Sequence, residues 1–393
     1  MTGAAPLSID LARVRADTPA CTRMIHVNNA GSSLQPEPVT RAVCDHLVLE
    51  QEIGGYEAED RAADALASFY TGFASLLGCS THEIAYVENA TRAWDMAFYG
   101  LPLREGDRVL THASEYASNF LALLQQAKRR NLEIDLVPSD ASGQIDIEAM
   151  ERMIGARTRA ILLTHVPTQG GLVNPAEAVG RIAQEHGLIY MLDACQSVGQ
   201  MPVDVSAIGC HVLSGTGRKF LRGPRGTGFL YVSDTIIDRI EPPFVDLHAA
   251  TWTGPQTYEL AEGARRFENY ESHVAGRIGL ARAVSYAQEI GMEAIGVRVQ
   301  TLAASLRAAL SERTDVTVHD LGARQCGIVT FLREGETAQT TSERLRTAGI
   351  NTSVSVRPYA QLDLGGRGLD AIVRTSVHYF NSEDEIEQVT STV

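Results

Sequence analysis

Two consecutive apolar runs with chemistry at their ends constrain this chain more than anything else in it. The first, at 188–193, reads LIYMLD and leads into Ala194, Cys195 and Gln196; the second delivers Ser214, Gly215, Thr216, Gly217, Arg218 and Lys219. Each reads as a buried strand, so Asp193 and Lys219 stand at two successive strand ends. Open α/β sheets bind ligands in the crevice outside the carboxyl ends of such strands. The stretch between acid and amine allows one excursion and a returning strand, which makes the two ends neighbours in one sheet. Singly, each signal is weak: Asp-Ala-Cys-Gln also suits a helix cap, and a lysine after Gly-Thr-Gly also suits a solvated loop.

With 393 residues the chain is long enough for two domains, and 44% hydrophobic with 21% charged residues is ordinary for a globular protein. A formal net charge of −14 argues against nucleic acid or acidic membrane as a partner. The six cysteines, at 21, 44, 79, 195, 210 and 326, form no CxxC pair and no zinc-like cluster. We expect reduced thiols and no metal. No apolar run reaches spanning length and no secretory signal pattern opens the chain, so a cytoplasmic location is expected.

Read in order, a short strand runs into Asn28-Asn29-Ala30-Gly31, locally just a turn. Pro36 begins a helix and a second covers about 58–77. Between them, Gly54-Gly55-Tyr56 is either a flexible joint or a device that bends Tyr56 over this site or a partner's. Strand 83–87 gives way to Glu88-Asn89-Ala90-Thr91 and a helix, the arrangement that presents free backbone N–H groups to a phosphate, although Thr91 also suits a plain cap. Strand 108–112 leads to Glu115-Tyr116-Ala117-Ser118-Asn119 at another helix start, and strand 159–166 ends near His165 and Thr168. The C-terminal third reads as a smaller α/β unit: helices at 275–291, 293–313 and 341–348, a strand at 327–331, and a second strand carrying Arg374.

An acid and an amine at neighbouring strand ends are what pyridoxal 5'-phosphate requires: the lysine bonds its aldehyde and the acid partners its ring nitrogen. From Asn28 to Asn381 the ordered motifs resemble the class V aminotransferase and cysteine desulfurase family. That resemblance implies an α/β fold of fold-type I, with a large domain of mainly parallel sheet at 30–262 and a smaller α/β domain from 1–29 and 263–393. It implies Lys219 as the catalytic residue, with Ala90, Thr91, Tyr116, Thr168, Asp193, Gln196, Thr216 and Arg218 around the cofactor. Arg374, Asn29 and Tyr56 are the implied substrate contacts, Arg374 taking the α-carboxylate of an amino-acid-type substrate. A homodimer with sites at the interface is also implied.

The departures from the family pattern matter as much. Tyr116 stands where a histidine usually stacks on the cofactor; it keeps the ring face but cannot shuttle protons near neutral pH. Glu271 replaces a phosphate-binding threonine of the partner subunit, and Arg218 or Arg225 is its expected counter-ion. Desulfurases carry a nucleophilic cysteine on a loop in the last third of the chain. The corresponding stretch 353–362, SVSVRPYAQL, has none. The pattern resembles bacterial C–S lyases, such as hercynylcysteine sulfoxide lyase and the lincosamide-pathway enzymes acting on cysteine S-conjugates. β-Elimination to a thiol-type product, pyruvate and ammonia is the expected reaction. The rivals are a decarboxylating, oxidising enzyme on the same conjugates, an amino-acid epimerase, and a cofactor-binding scaffold without catalysis. Phe244 and Trp252 read either as contacts to a bulky conjugate or as interface residues.

Overall fold

The computed structural model describes residues 8–393. Helix α1 (Leu11–Ala16) and the two-residue strand β1 (Ile25–His26) precede the helices α2 (Glu37–Ile53), α3 (Gly55–Arg61) and α4 (Ala63–Leu77). Gly54, at φ 98°, ends α2 and starts α3, so the expected joint is a sharp corner between helices. Strand β2 (Ile84–Val87) feeds α5 (Ala90–Phe98), and β3 (Arg108–His112) feeds α6 (Ala117–Arg130). There follow β4 (Glu133–Val137), α7 (Ile147–Met153), β5 (Thr158–Thr164), α8 (Ala176–Glu185) and β6 (Ile189–Asp193). The short α9 (Val205–Ile208) leads to β7 (Val212–Thr216) and β8 (Gly228–Val232).

These strands form one seven-stranded sheet in the order β2-β8-β7-β6-β5-β3-β4, parallel except for β8, which opposes both neighbours. Its central strands are buried along their lengths because helices cover both faces, which is why they read as continuous apolar runs. Close approach is built in at Gly180 of α8, where an added Cβ would lie 1.7 Å from the Ile208 carbonyl oxygen of α9. The sheet and its connections are those of a fold-type I pyridoxal phosphate enzyme.

A hairpin, β9 (Ala250–Gly254) and β10 (Thr257–Leu260), leaves the body after β8 and carries Trp252 largely exposed. His248 at its base donates to the buried carboxylate of Glu268 (2.9 Å), which also accepts from the Tyr70 hydroxyl and the Tyr86 amide. The hairpin was not expected from sequence. Next come α10 (Val274–Ile290), α11 (Met292–Ser311), β11 (Val316–Val318), β12 (Ile328–Arg333) and α12 (Ala338–Thr347). The chain closes with β13 (Ile350–Asn351), β14 (Ser353–Val356), α13 (Asp363–Gly366), β15 (Ala371–Ser376) and α14 (Glu383–Thr392). Antiparallel strands β11-β12-β15-β14 form the second sheet, and β1 pairs with β13.

Beyond the division expected at 262–263, helix α10 packs on the large sheet's side of the molecule. Leu280, Ala281, Ala283 and Val284 of α10 belong to the apolar core beneath the large sheet, together with Phe69 and Phe73 of α4. The segment 353–362, expected as a loop, begins with edge strand β14, paired to β15 from Ser353 opposite Arg374.

Candidate active site

The site lies at the carboxyl ends of β5, β6 and β7 and the start of α5. Strand β6 sits between β5 and β7, with Asp193 in register with Ser214. This places the carboxylate of Asp193 and the amine of Lys219, both buried, in one pocket with Ala90, Thr91, Tyr116, Thr168, Gln196, Thr216 and Arg218. Nine sequence-derived positions thus line a single cavity.

Each wall has a physical origin. Asn89 caps α5 by accepting from the Arg92 amide (2.9 Å), which leaves the Ala90 and Thr91 amides facing the pocket at the positive end of the helix. Asp193 accepts from the Cys195 amide (2.9 Å) on one oxygen and from Asn119 Nδ2 (2.9 Å) on the other, so its carboxylate is held from behind. Burial lowers the proton affinity of Lys219, and the Arg218 and Arg374 cations lower it further, against Cys195 and Asp193. Its Nζ stands 5.8 Å from the centroid of the Tyr116 ring.

Gln196 Nε2 donates to the Ala30 carbonyl (3.1 Å) and to Thr168 Oγ1 (3.0 Å), while its buried Oε1 has no partner. Thr168 Oγ1 also accepts from Arg374 Nη1 (2.5 Å), whose second acceptor is the Thr168 carbonyl (3.0 Å). Arg374 is buried on β15; its Nη2 lies 3.4 Å from Asn28 Oδ1 and its Nε has no partner. Burial, with the Arg218 cation, brings its guanidinium down to about 10, so it remains charged at neutral pH. A guanidinium anchored at Nη1, with an unpartnered Nε and only a long contact at Nη2, has donors to spare for a carboxylate.

Other expected residues stand elsewhere. Asn29 is fully buried and its amide is consumed inside the fold, donating to the Ser376 carbonyl (2.7 Å) and accepting from Ser33 (2.7 Å). The Asn29 side chain thus points into the fold, and the neighbouring Asn28 faces Arg374. Tyr56 is 69% exposed on α3, beside exposed Tyr270, and does not line the pocket of this chain. Thr216 Oγ1 donates to the Thr227 carbonyl (3.3 Å), so its proton is committed away from an anion. Arg218 donates to the Gly31 carbonyl, and among the described residues no ion pair joins Glu271 to Arg218 or Arg225. Phe244 lies under the Arg92 guanidinium at 4.2 Å. His165 is buried outside the pocket, its imidazole driven down to about 4 by burial and by Arg324.

Three residues of the site were not singled out in advance. Asn28 differs from Asn29 only in the direction its side chain takes. Asn119 and Glu115 lie behind Asp193, and their spacing of four across a helix start was the available signal. The residues fit pyridoxal phosphate: two free helix-end amides, a buried amine, a rear-supported carboxylate and an unpartnered buried Gln196 oxygen converge on one cavity. Among the described residues no cluster of His, Cys, Asp and Glu is arranged to hold a metal ion. No helix there is long and apolar enough to cross a membrane.

Residues 25–389 match the family model described as aminotransferase class-V. A probable cysteine desulfurase of Methanothermobacter thermautotrophicus is 29% identical over 388 residues, covering 97% of this chain and 96% of its own. One from Pyrococcus abyssi is 28% identical, covering 95% and 94%. Among solved structures, the apo cysteine desulfurase of Thermococcus onnurineus superposes with a TM-score of 0.91 at 26% identity, covering 99% of this chain and 98% of that one. The cystine C–S lyase C-DES, in complex with cysteine persulfide, superposes at 0.86 and 22% identity, covering 95% and 98%.

Proposed function

The chain belongs to the aminotransferase class-V family of pyridoxal phosphate enzymes, and from that premise we propose that it is a C–S lyase acting on a cysteine S-conjugate or its sulfoxide. With one water consumed, the products are pyruvate, ammonia and a thiol-type compound, a thiol from the conjugate and a sulfenic acid from its sulfoxide, within the biosynthesis of a sulfur-containing small molecule.

Arg374 binds the substrate α-carboxylate through its unpartnered Nε and its weakly engaged Nη2, while Thr168 holds Nη1. Lys219 Nζ, its proton affinity lowered by burial, takes the α-proton. The cofactor, when bound, supplies an electron sink for the carbanion that this proton transfer creates. Asp193 would pair with the cofactor's ring nitrogen, Ala90 and Thr91 would offer their amides to its phosphate, and Gln196 would help to hold it from the same cavity. Tyr116 walls the slot with its ring, 5.8 Å from Lys219 Nζ, and Lys219 is the proton carrier at this wall. Functional assembly as a homodimer brings exposed Tyr56 and the segment 244–258 to the rim of the partner's site, and the enzyme works in the cytoplasm.

The observation that carries the lyase reading is the state of the thiols. Cys326 is buried behind β12, its thiol pushed up to about 11 mainly by burial, and Cys195 at the pocket is raised further by burial and Asp193. Neither is a ready sulfur acceptor. The names of the relatives favour a second reading, desulfuration of cysteine. One assay separates them: purified holo-protein is given a panel of cysteine S-conjugates, a sulfoxide and free cysteine, and products are read by mass spectrometry. Thiol with pyruvate supports the lyase. Alanine with released sulfur from cysteine alone replaces it with the desulfurase, loss of carbon dioxide with the decarboxylating enzyme, and α-proton exchange alone with the epimerase.

A further inference from the structure

Glu115 is a buried carboxylate that does not line the pocket, yet four donors converge on it. Its Oε1 accepts from Thr164 Oγ1 (2.5 Å), the Tyr116 amide (2.9 Å) and Asn119 Nδ2 (3.0 Å), and its Oε2 from Thr111 Oγ1 (3.1 Å). The other Asn119 N–H goes to Asp193 Oδ2. Asn119, also buried outside the pocket, therefore spends both amide protons on two carboxylates.

That arrangement admits one orientation. Flipping the Asn119 amide would set its carbonyl oxygen against two acceptors, so Glu115 fixes Asn119 and Asn119 fixes the rotamer of Asp193. The same Glu115 oxygen holds the backbone of Tyr116, whose ring faces Lys219. One side chain thus registers the acid at one wall of the slot with the aromatic ring at another. Burial and the Asp193 charge push the Glu115 carboxyl up from its ordinary value, while bonds from Thr164, Asn119 and Tyr116 oppose them. A carboxylate in such a place costs stability unless its donors are all in position.

We infer that Glu115 and Asn119 are positioning residues for the cofactor: without touching it, they set the orientation of Asp193 and Tyr116 and so its affinity and its electronic state. The inference rests on the reading of Asp193 as partner of the ring nitrogen. Its balance is purely one of hydrogen bonds; no proton leaves the network.

The test uses the full-length protein and pyridoxal phosphate itself. Folding is checked by circular dichroism and thermal melting, affinity by equilibrium dialysis, and electronic state by the pH titration of the bound cofactor's visible absorption band. Asn119→Leu removes the hydrogen bonds to both carboxylates; for the loss of the one that holds Asp193, an affinity loss of about tenfold and a displaced titration midpoint are expected. Glu115→Gln keeps an acceptor oxygen for the three donors and should stay within about threefold of wild type in affinity, restoring what Glu115→Leu loses. Should Asn119→Leu not fold, Asn119→Ser, too short to span both carboxylates, carries the same expectation. Wild-type affinity with an unshifted band in a folded Asn119 variant, whatever its melting temperature, overturns the inference. Failure of wild type to give a cofactor band overturns the underlying reading instead.

Discussion

Replacing Arg374 by lysine keeps a cation on β15 and removes the fork. In the native site Nη1 is committed to both Thr168 oxygens, at 3.0 and 2.5 Å, while Nε has no partner and Nη2 lies 3.4 Å from Asn28 Oδ1. The substrate carboxylate therefore draws on two donors that lysine cannot reproduce while also satisfying Thr168. Losing one charge-assisted hydrogen bond, about 1.5–3 kcal/mol, lowers kcat/KM by about 10- to 150-fold. Since the carboxylate is held alike before and during proton transfer, the loss should fall on KM. The assay is steady-state kinetics of Arg374→Lys on the preferred S-conjugate beside the matching amine that lacks the carboxylate. The reasoning fails if the variant stays within about threefold of wild type on the acid, or if it loses as much on the amine.

Three further outcomes follow from the geometry. Thr168→Val withdraws the acceptor shared by Arg374 and Gln196; KM should rise about tenfold and dialysis should show weaker cofactor retention, whereas a change in KM alone would mean the two contacts are independent. Arg218→Met removes a cation that lowers the proton affinity of Lys219, so the pH at which apo-protein reacts half-maximally with pyridoxal phosphate should rise; an unmoved midpoint in stopped-flow absorbance contradicts this. His248 is half-exposed and raised above its ordinary 6.5 first by its hydrogen bond to Glu268. Its stabilising effect is complete below 6.5 and is lost as pH rises through the raised value, so melting temperature should fall over that window in wild type and not in His248→Gln.

How much of this was legible depended on whether a feature is local. The strands carrying Asp193 and Lys219 are buried on both faces, so burial wrote itself into the sequence as uninterrupted apolar runs, and their ends fixed the pocket. Asn28 and Asn29 were not separable, because they lie just past a two-residue strand and Asn28 is set by a bridge to Ser376, far along the chain. Tyr56 drew notice through the glycines before it; Gly54 turns one helix into the next and leaves Tyr56 exposed, outside this chain's own pocket. Arg222 gave no sign at all. It is buried at φ 61° without a carboxylate, donating to the Leu34 carbonyl, the Tyr379 hydroxyl and Thr18, with its guanidinium 4.5 Å from the Phe380 ring. Those partners come from both ends of the chain, and no window of sequence contains them.

The distance along the chain between the two halves of the site also sets an order of events. Everything that faces the cofactor, from Asn89 to Lys219, emerges from the ribosome well before Arg374, whose strand pairs with β12 and β14. Contacts over such separations form late because the chain must first close a long loop. During synthesis the nascent polypeptide thus acquires its aldehyde-binding amine before it acquires any means of gripping an amino acid. A ribosome stalled ahead of residue 371 would carry every residue that lines the pocket and lack the strand that bears Arg374.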